Sequence, residues 1–216
     1  MTILWFQYFQ LLSLITAIIF HKRLSNYNII AFIPLLLIVV IIEFAGVNFR
    51  YFDWSDNYFI YNIYLLSSTP IVLYLYKQML ALDSKTKIVF IAISIFIMTL
   101  IVINYLFLQG TKQLNTHSII LIEIMNIILS CFVLVQLVFK DDIERSLFNE
   151  PYFWINVGSL FFSLGTLVVM GLQQYIRANH IQLNKVSAYF FIMPFLNVIL
   201  YSSWSYGFIL CKRKPL

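Results

Sequence analysis

Along this chain the apolar residues fall into seven long blocks separated by short polar connections, at residues 3–20, 29–48, 58–80, 88–109, 118–139, 152–176 and 186–210. Each block approaches the roughly 20 residues that a helix needs to cross a hydrocarbon core of about 30 Å. A backbone in lipid must satisfy its own hydrogen bonds, and these Leu-, Ile- and Phe-rich runs lack the alternation of barrel strands. The pattern therefore predicts an all-α, integral membrane bundle of seven spanning helices. Residues 1–216 form one domain, without a soluble domain, long linker or low-complexity segment.

The distribution of basic residues predicts the orientation, since positively charged connections stay cytoplasmic. Ten of the 14 Lys and Arg residues, from Lys22 to Lys214, fall on one side, against Arg50, Lys112, Arg177 and Lys185 on the other. The N-terminus is thus expected outside and the C-terminus in the cytoplasm. Trp5, Tyr8, Trp54, Tyr58 and Tyr175 then lie at the outer interface, and Tyr76, Tyr152, Trp154 and Tyr206 at the inner one, where amphipathic rings belong. The first block is read as a mature span, because Met1 and Thr2 supply no basic leader and no small-residue cleavage site precedes His21.

Composition agrees with the pattern. Hydrophobic residues make up 62% and charged residues 11%, with a mean hydropathy of +0.88, far from the balance of a soluble domain. The net charge of +5 is scattered in short clusters between the apolar blocks, so a nucleic-acid partner is not expected. Cys131 and Cys211 sit where no disulfide framework forms.

Ionisable residues within the blocks are the candidate chemistry, because a charged side chain at mid-membrane costs about 2.5–3.5 kcal/mol on insertion scales. Glu43 and Glu123 are the two. Both fall about five residues below the outer ends of their blocks, at equal depth, and Asn126 and Ser130 extend a polar stripe from Glu123 at i+3 and i+7. Gln7, Gln10, Tyr61, Asn62, Tyr64, Gln173 and Gln174 lie at comparable depth. The predicted ligand-binding set is Glu43, Glu123, Asn126, Gln7, Gln10, Tyr61, Tyr64 and Gln174, converging on an outer-leaflet polar cavity. Two carboxyls acting as a unit there favour a cationic ligand, or binding that depends on pH near neutrality. The competing reading is structural: interfacial carboxyls snorkel, and amides join neighbouring helices.

The other polar features have plainer explanations. Asn156, Ser159, Ser163 and Thr166 form a small-residue stripe suited to close helix packing. Pro194 with Asn197 and Tyr201 suggests a bend with a satisfying amide. The block 88–109 carries few polar residues and is expected to face lipid. Proline and polar positions hint at a three-plus-one-plus-three parallel repeat, with the fourth helix as linker. No catalytic residue, metal site or cofactor is predicted. His21, His117 and His180 occupy separate connections, no nucleophile or phosphate-loop motif occurs, and the last block has no lysine for a Schiff base.

Asn149-Glu150-Pro151-Tyr152-Phe153-Trp154-Ile155-Asn156, followed by Gly158-Ser159-Leu160-Phe161-Phe162-Ser163-Leu164-Gly165, resembles the sixth-helix pattern of small seven-helix proteins of Bacteroidota. Asn197-Val198-Ile199-Leu200-Tyr201 and the ending Cys211-Lys212-Arg213-Lys214 are similar to that group's C-terminus. Relatives of the group stand beside, or are fused to, sensor histidine kinases. The resemblance implies a membrane sensor or receptor-like module in the bacterial cytoplasmic membrane, with no catalytic residue to transfer. Because the chain ends soon after its last block, a kinase would be a separate protein.

Three functions compete. The first is a sensor that binds a ligand in the outer cavity and signals through a membrane or cytoplasmic partner such as a histidine kinase. The second is a small transporter built on the repeat, although the PQ motif of carriers with that topology is missing. A membrane lipid enzyme comes third. The partners expected are the bilayer and a signalling protein, and a homo-oligomer is compatible with the chain.

Overall fold

The computed structural model describes residues 3–139, 147–171, 182–183 and 186–212. Helices occupy all the apolar blocks: α1 (Gln7–Ile19), α3 (Phe32–Val47), α4 (Tyr58–Met79), α5 (Ser84–Ile103), α6 (Thr116–Val138), α7 (Pro151–Gly171) and α8 (Ala188–Leu210). A short α2 (His21–Asn26) lies in the first connection. The one strand pair among the described residues is a two-residue hairpin, Gln182–Leu183 against Val186–Ser187. The protein is therefore all-α. Among the described residues four helices are long and apolar enough to cross a membrane: α4, α5 with its extension to Leu108, α6 and α7. Helices α1 and α3, with 13 and 16 residues, are shorter.

Local chemistry sets the helix ends. Asp83 caps α5, accepting hydrogen bonds from the backbone N–H of Thr86 at 3.2 Å and from the Thr86 hydroxyl. The helix consequently starts at Ser84, four residues ahead of its apolar block. Its far end widens into a π-helical turn, Asn104–Leu108, where the Asn104 amide donates to Gln109 Oε1 at 3.0 Å and Ser118 Oγ at 2.8 Å. Pro151 opens α7 in the first turn, where a missing N–H costs nothing. In α4, Ser67, Ser68 and Thr69 donate their hydroxyls to the carbonyls of Ile63, Tyr64 and Leu65 immediately before Pro70. Hydroxyl back-bonding and a proline both favour a bend at that point.

Six helices close into a ring, in the order α1, α3, α4, α6, α7, α8 and back to α1. Helix α5 packs mainly on the outside of α4, and only Ile97 and Ile101 among its residues are buried. The tightest seam joins α7 to α8. A Cβ on Gly158 would stand 2.5 Å from Ser203 Cβ, and one on Gly165 would stand 2.6 Å from the Leu196 methyls. These glycines let the two backbones approach, as small residues do where lipid supplies no hydrophobic drive. The connections 48–57 and 109–115 mark the upper end of the ring, and α2 with residues 80–83 the lower end.

Aromatic packing fills the lower half. The Phe32 ring lies 4.9 Å from Trp204 and 5.2 Å from Phe208, both centroid to centroid, with Phe208 fully buried. Hydrogen bonds tie the ends: Tyr152 donates its hydroxyl to the Tyr27 carbonyl at 2.6 Å, and Ala81 N–H donates to Gln136 Oε1 at 3.0 Å. At the upper end the fully buried Asn62 donates to the Gln113 carbonyl at 3.0 Å and accepts from Asn115 N–H at 3.1 Å. One side chain of α4 thereby fixes the connection to α6.

Candidate functional site

Inside the ring runs a narrow cavity of about 100 Å³, lined by α3, α4, α6, α7 and α8. Its polar lining gathers toward the upper half, with Tyr64, Ser68 and Thr69 on α4, Glu123 and Asn126 on α6 and Ser163 on α7, while Ser159 lies lower, beside Trp204. Toward the lower half the wall turns apolar, with Leu35, Leu75, Met79, Ile155 and Leu200, and with Trp204 alongside. The cavity therefore has a polar head and an oily tail, and it extends well below the depth expected from sequence.

Glu123 is the centre of the polar head. Its helix places it on the inner face, so the residue is only 8% exposed. The side chains of Ser163 and Asn126 are its hydrogen-bonding neighbours, while Oε2 is buried and has no partner among the described residues. The Oδ1 atom of Asn126, one turn along α6, is likewise buried and unpartnered. Below them, the Tyr76 hydroxyl lies 2.7 Å from Ser130 Oγ and donates to the Asn126 carbonyl at 3.3 Å, closing that side with a satisfied network.

The other residues singled out in the sequence divide into three groups. Tyr64 lines the cavity and lies within electrostatic reach of both Glu123 and Glu43. Glu43 is not part of the cavity lining. Its Oε2 accepts from the Tyr61 hydroxyl at 3.5 Å, across a gap left open by Gly46, where a Cβ would stand 2.7 Å from that hydroxyl. Gln10 is buried and hydrogen-bonds Tyr201, with its Nε2 unpartnered among the described residues, and Gln7 accepts from Leu4 N–H at 2.8 Å; neither is among the residues lining the cavity. Gln174 lies outside the described residues, as do Gln173 and Tyr175.

Two residues of the site were read from sequence as packing. Ser163 stands beside the Glu123 carboxyl, and Ser159 accepts the Trp204 indole N–H at 3.0 Å while donating to the Ile155 carbonyl at 2.8 Å. The signal available was their i, i+4 spacing on one face of α7, which suits a cavity wall as well as a seam. Asn156 and Thr166 of the same stripe are buried, and Asn156 donates to the Tyr152 carbonyl at 2.7 Å. Asn197 donates to the Met193 carbonyl at 3.0 Å, a bond within its own helix.

Among the described residues no group of three or more His, Cys, Asp or Glu side chains could hold a metal ion. No protein-family model matches the chain, and neither a curated protein nor a solved structure matches it.

Proposed function

We propose that this chain is a seven-span membrane module, N-terminus outside and C-terminus cytoplasmic, that binds a small ligand between its helices and passes a helix shift to a signalling partner. The observation that carries the reading is Glu123, a buried carboxyl whose Oε2 has no partner among the described residues, on the wall of a cavity inside the ring. An intramembrane carboxyl is expensive, and one held open to a cavity supports binding better than packing. The bend region of α4 adjoins the same cavity through Ser68 and Thr69, so a ligand there acts on a helix that can change shape. A histidine kinase is the kind of partner the sequence resemblance implies, and the bacterial cytoplasmic membrane is the corresponding location. No reaction is assigned.

Transport is the second reading, and the ring order is compatible with it. Shifting each helix by one half of the molecule maps α1, α3, α4 onto α6, α7, α8 and leaves the cyclic order unchanged, with α5 outside as the linker. Binding and uptake separate the two. The chain in nanodiscs would be screened for solutes that raise its unfolding temperature, and any solute that does so would be tested for flux into proteoliposomes. Binding without flux is expected; saturable flux would replace sensing with transport.

A further inference from the structure

We propose that the ligand of this cavity is a compact primary ammonium compound with a small apolar body, its head at Glu123 and Asn126 and its body directed toward Trp204; this rests on the binding reading above. The argument is one of hydrogen-bond supply. Glu123 Oε2 and Asn126 Oδ1 are two buried acceptors lacking donors, three residues apart on one face of α6. Ser163 stands beside the Glu123 carboxyl, and two further hydroxyls of the wall are committed elsewhere, Ser68 to the Tyr64 carbonyl at 2.6 Å and Ser159 to the Ile155 carbonyl at 2.8 Å. What the head lacks is protons to accept. A primary ammonium supplies three donors and no acceptor, whereas an alcohol supplies a single donor.

Charge points the same way. Among the described residues lining the cavity Glu123 is the one carboxyl, and no Lys, Arg or His is among them. An anion would meet a carboxyl in a low-dielectric space with nothing to neutralise it. Aromatic rings of Tyr64, Phe162 and Trp204 contribute to the wall, and ring faces attract cations most where water is excluded. Size sets the remaining limit. A narrow cavity of about 100 Å³ favours a compact solute over a long one.

The test uses the whole chain in nanodiscs and compares three solutes of one skeleton, isobutylammonium chloride, isobutanol and sodium isobutyrate, with sodium chloride at matched ionic strength. The amine is expected to raise the unfolding temperature saturably, and the alcohol and carboxylate to leave it unchanged. Glu123→Gln should weaken the amine's apparent affinity at least tenfold. Asn126→Leu, which leaves the carboxyl in place, should weaken it less and provides a second reading if the first variant folds poorly. Equal shifts from amine and alcohol would overturn the ammonium assignment while leaving a binding site. A shift from sodium chloride alone would assign an alkali-ion site instead. No shift from any solute, with Glu123→Gln more stable than the parent, would remove both the assignment and the binding reading.

Discussion

Trp204 of α8 donates its indole N–H to the hydroxyl of Ser159 on α7, at 3.0 Å, directly on the cavity wall. Removing that acceptor leaves a buried donor unsatisfied, which costs about 1–3 kcal/mol. Ser159→Ala should therefore lower the unfolding temperature. In a background with Trp5, Trp54 and Trp154 replaced by Phe, it should also shift the emission of Trp204. An unchanged spectrum would show that the bond does not hold in the membrane.

Close approach of α7 and α8 makes a second expectation sharp. Gly158→Val would force a side chain into Ser203 and the Leu200 carbonyl, whereas a Cβ on Gly171 meets nothing within 4 Å among the described residues. Overpacking of this kind costs about 1–3 kcal/mol. Thermal unfolding in detergent should show a marked loss for Gly158→Val and almost none for Gly171→Ala. Similar losses for both would mean that the seam is looser than it stands here.

At the upper end, Asn62→Leu deletes both of the bonds that hold Gln113 and Asn115. The amide of Asn115 then loses its acceptor in a place where that residue is only 2% exposed. Hydrogen exchange should accelerate at Asn115 with little change in α7. Protection retained at Asn115 would argue against the clamp.

The cap of α5 titrates. Bonds from the Thr86 hydroxyl and amide hold the Asp83 carboxyl below the usual carboxylate range. A carboxyl depressed on folding stabilises the helix end fully above its unfolded value of about 4, and that support is lost as pH falls through the lower folded value. Exchange at Thr86 should rise relative to Asp83→Asn as the pH is lowered from 5 to about 3. Parallel profiles for the two proteins would exclude a charged cap.

Orientation is open to labelling. In a background with Cys131 and Cys211 replaced by Ser, cysteine at Thr111 should react with an impermeant thiol reagent from outside, and cysteine at Ser84 should not. Both positions are exposed, whereas Asn115 is buried and would give no signal on either side. The reverse result would invert the proposed topology.

The dense Leu, Ile and Phe blocks made the helices legible, because no other structure satisfies such a backbone in lipid. Their ends were less so. Helix α2 lies in the polar stretch around Lys22 and Arg23, and the π turn at Asn104 depends on Ser118 from the next helix, so no local pattern marks either. Spacing alone puts Glu123 and Asn126 on one face. Whether that face meets a cavity or a neighbour is decided by which helices close the ring, and Ser163 belongs to the site for the same reason. Glu43 and Glu123 share a depth in sequence, yet Glu43 meets Tyr61 because Gly46 leaves room for the ring, a fact of the α3–α4 contact that no spacing shows.

Pro70 divides α4 into two arms of unequal attachment. The upper arm carries Asn62, Tyr64 and Ser68, anchored to the α6 connection and facing the cavity. The lower arm runs through Tyr76 to Met79, and the chain beyond it is held to α6 by Gln136. Nine residues at about 1.5 Å each make that arm roughly 14 Å long, so a change of about 5° at the proline displaces its tip by a little over 1 Å. The fulcrum lies beside the polar head of the cavity and the tip at the far end of the ring, so on the proposed sensing reading α4 would act as a lever between the two.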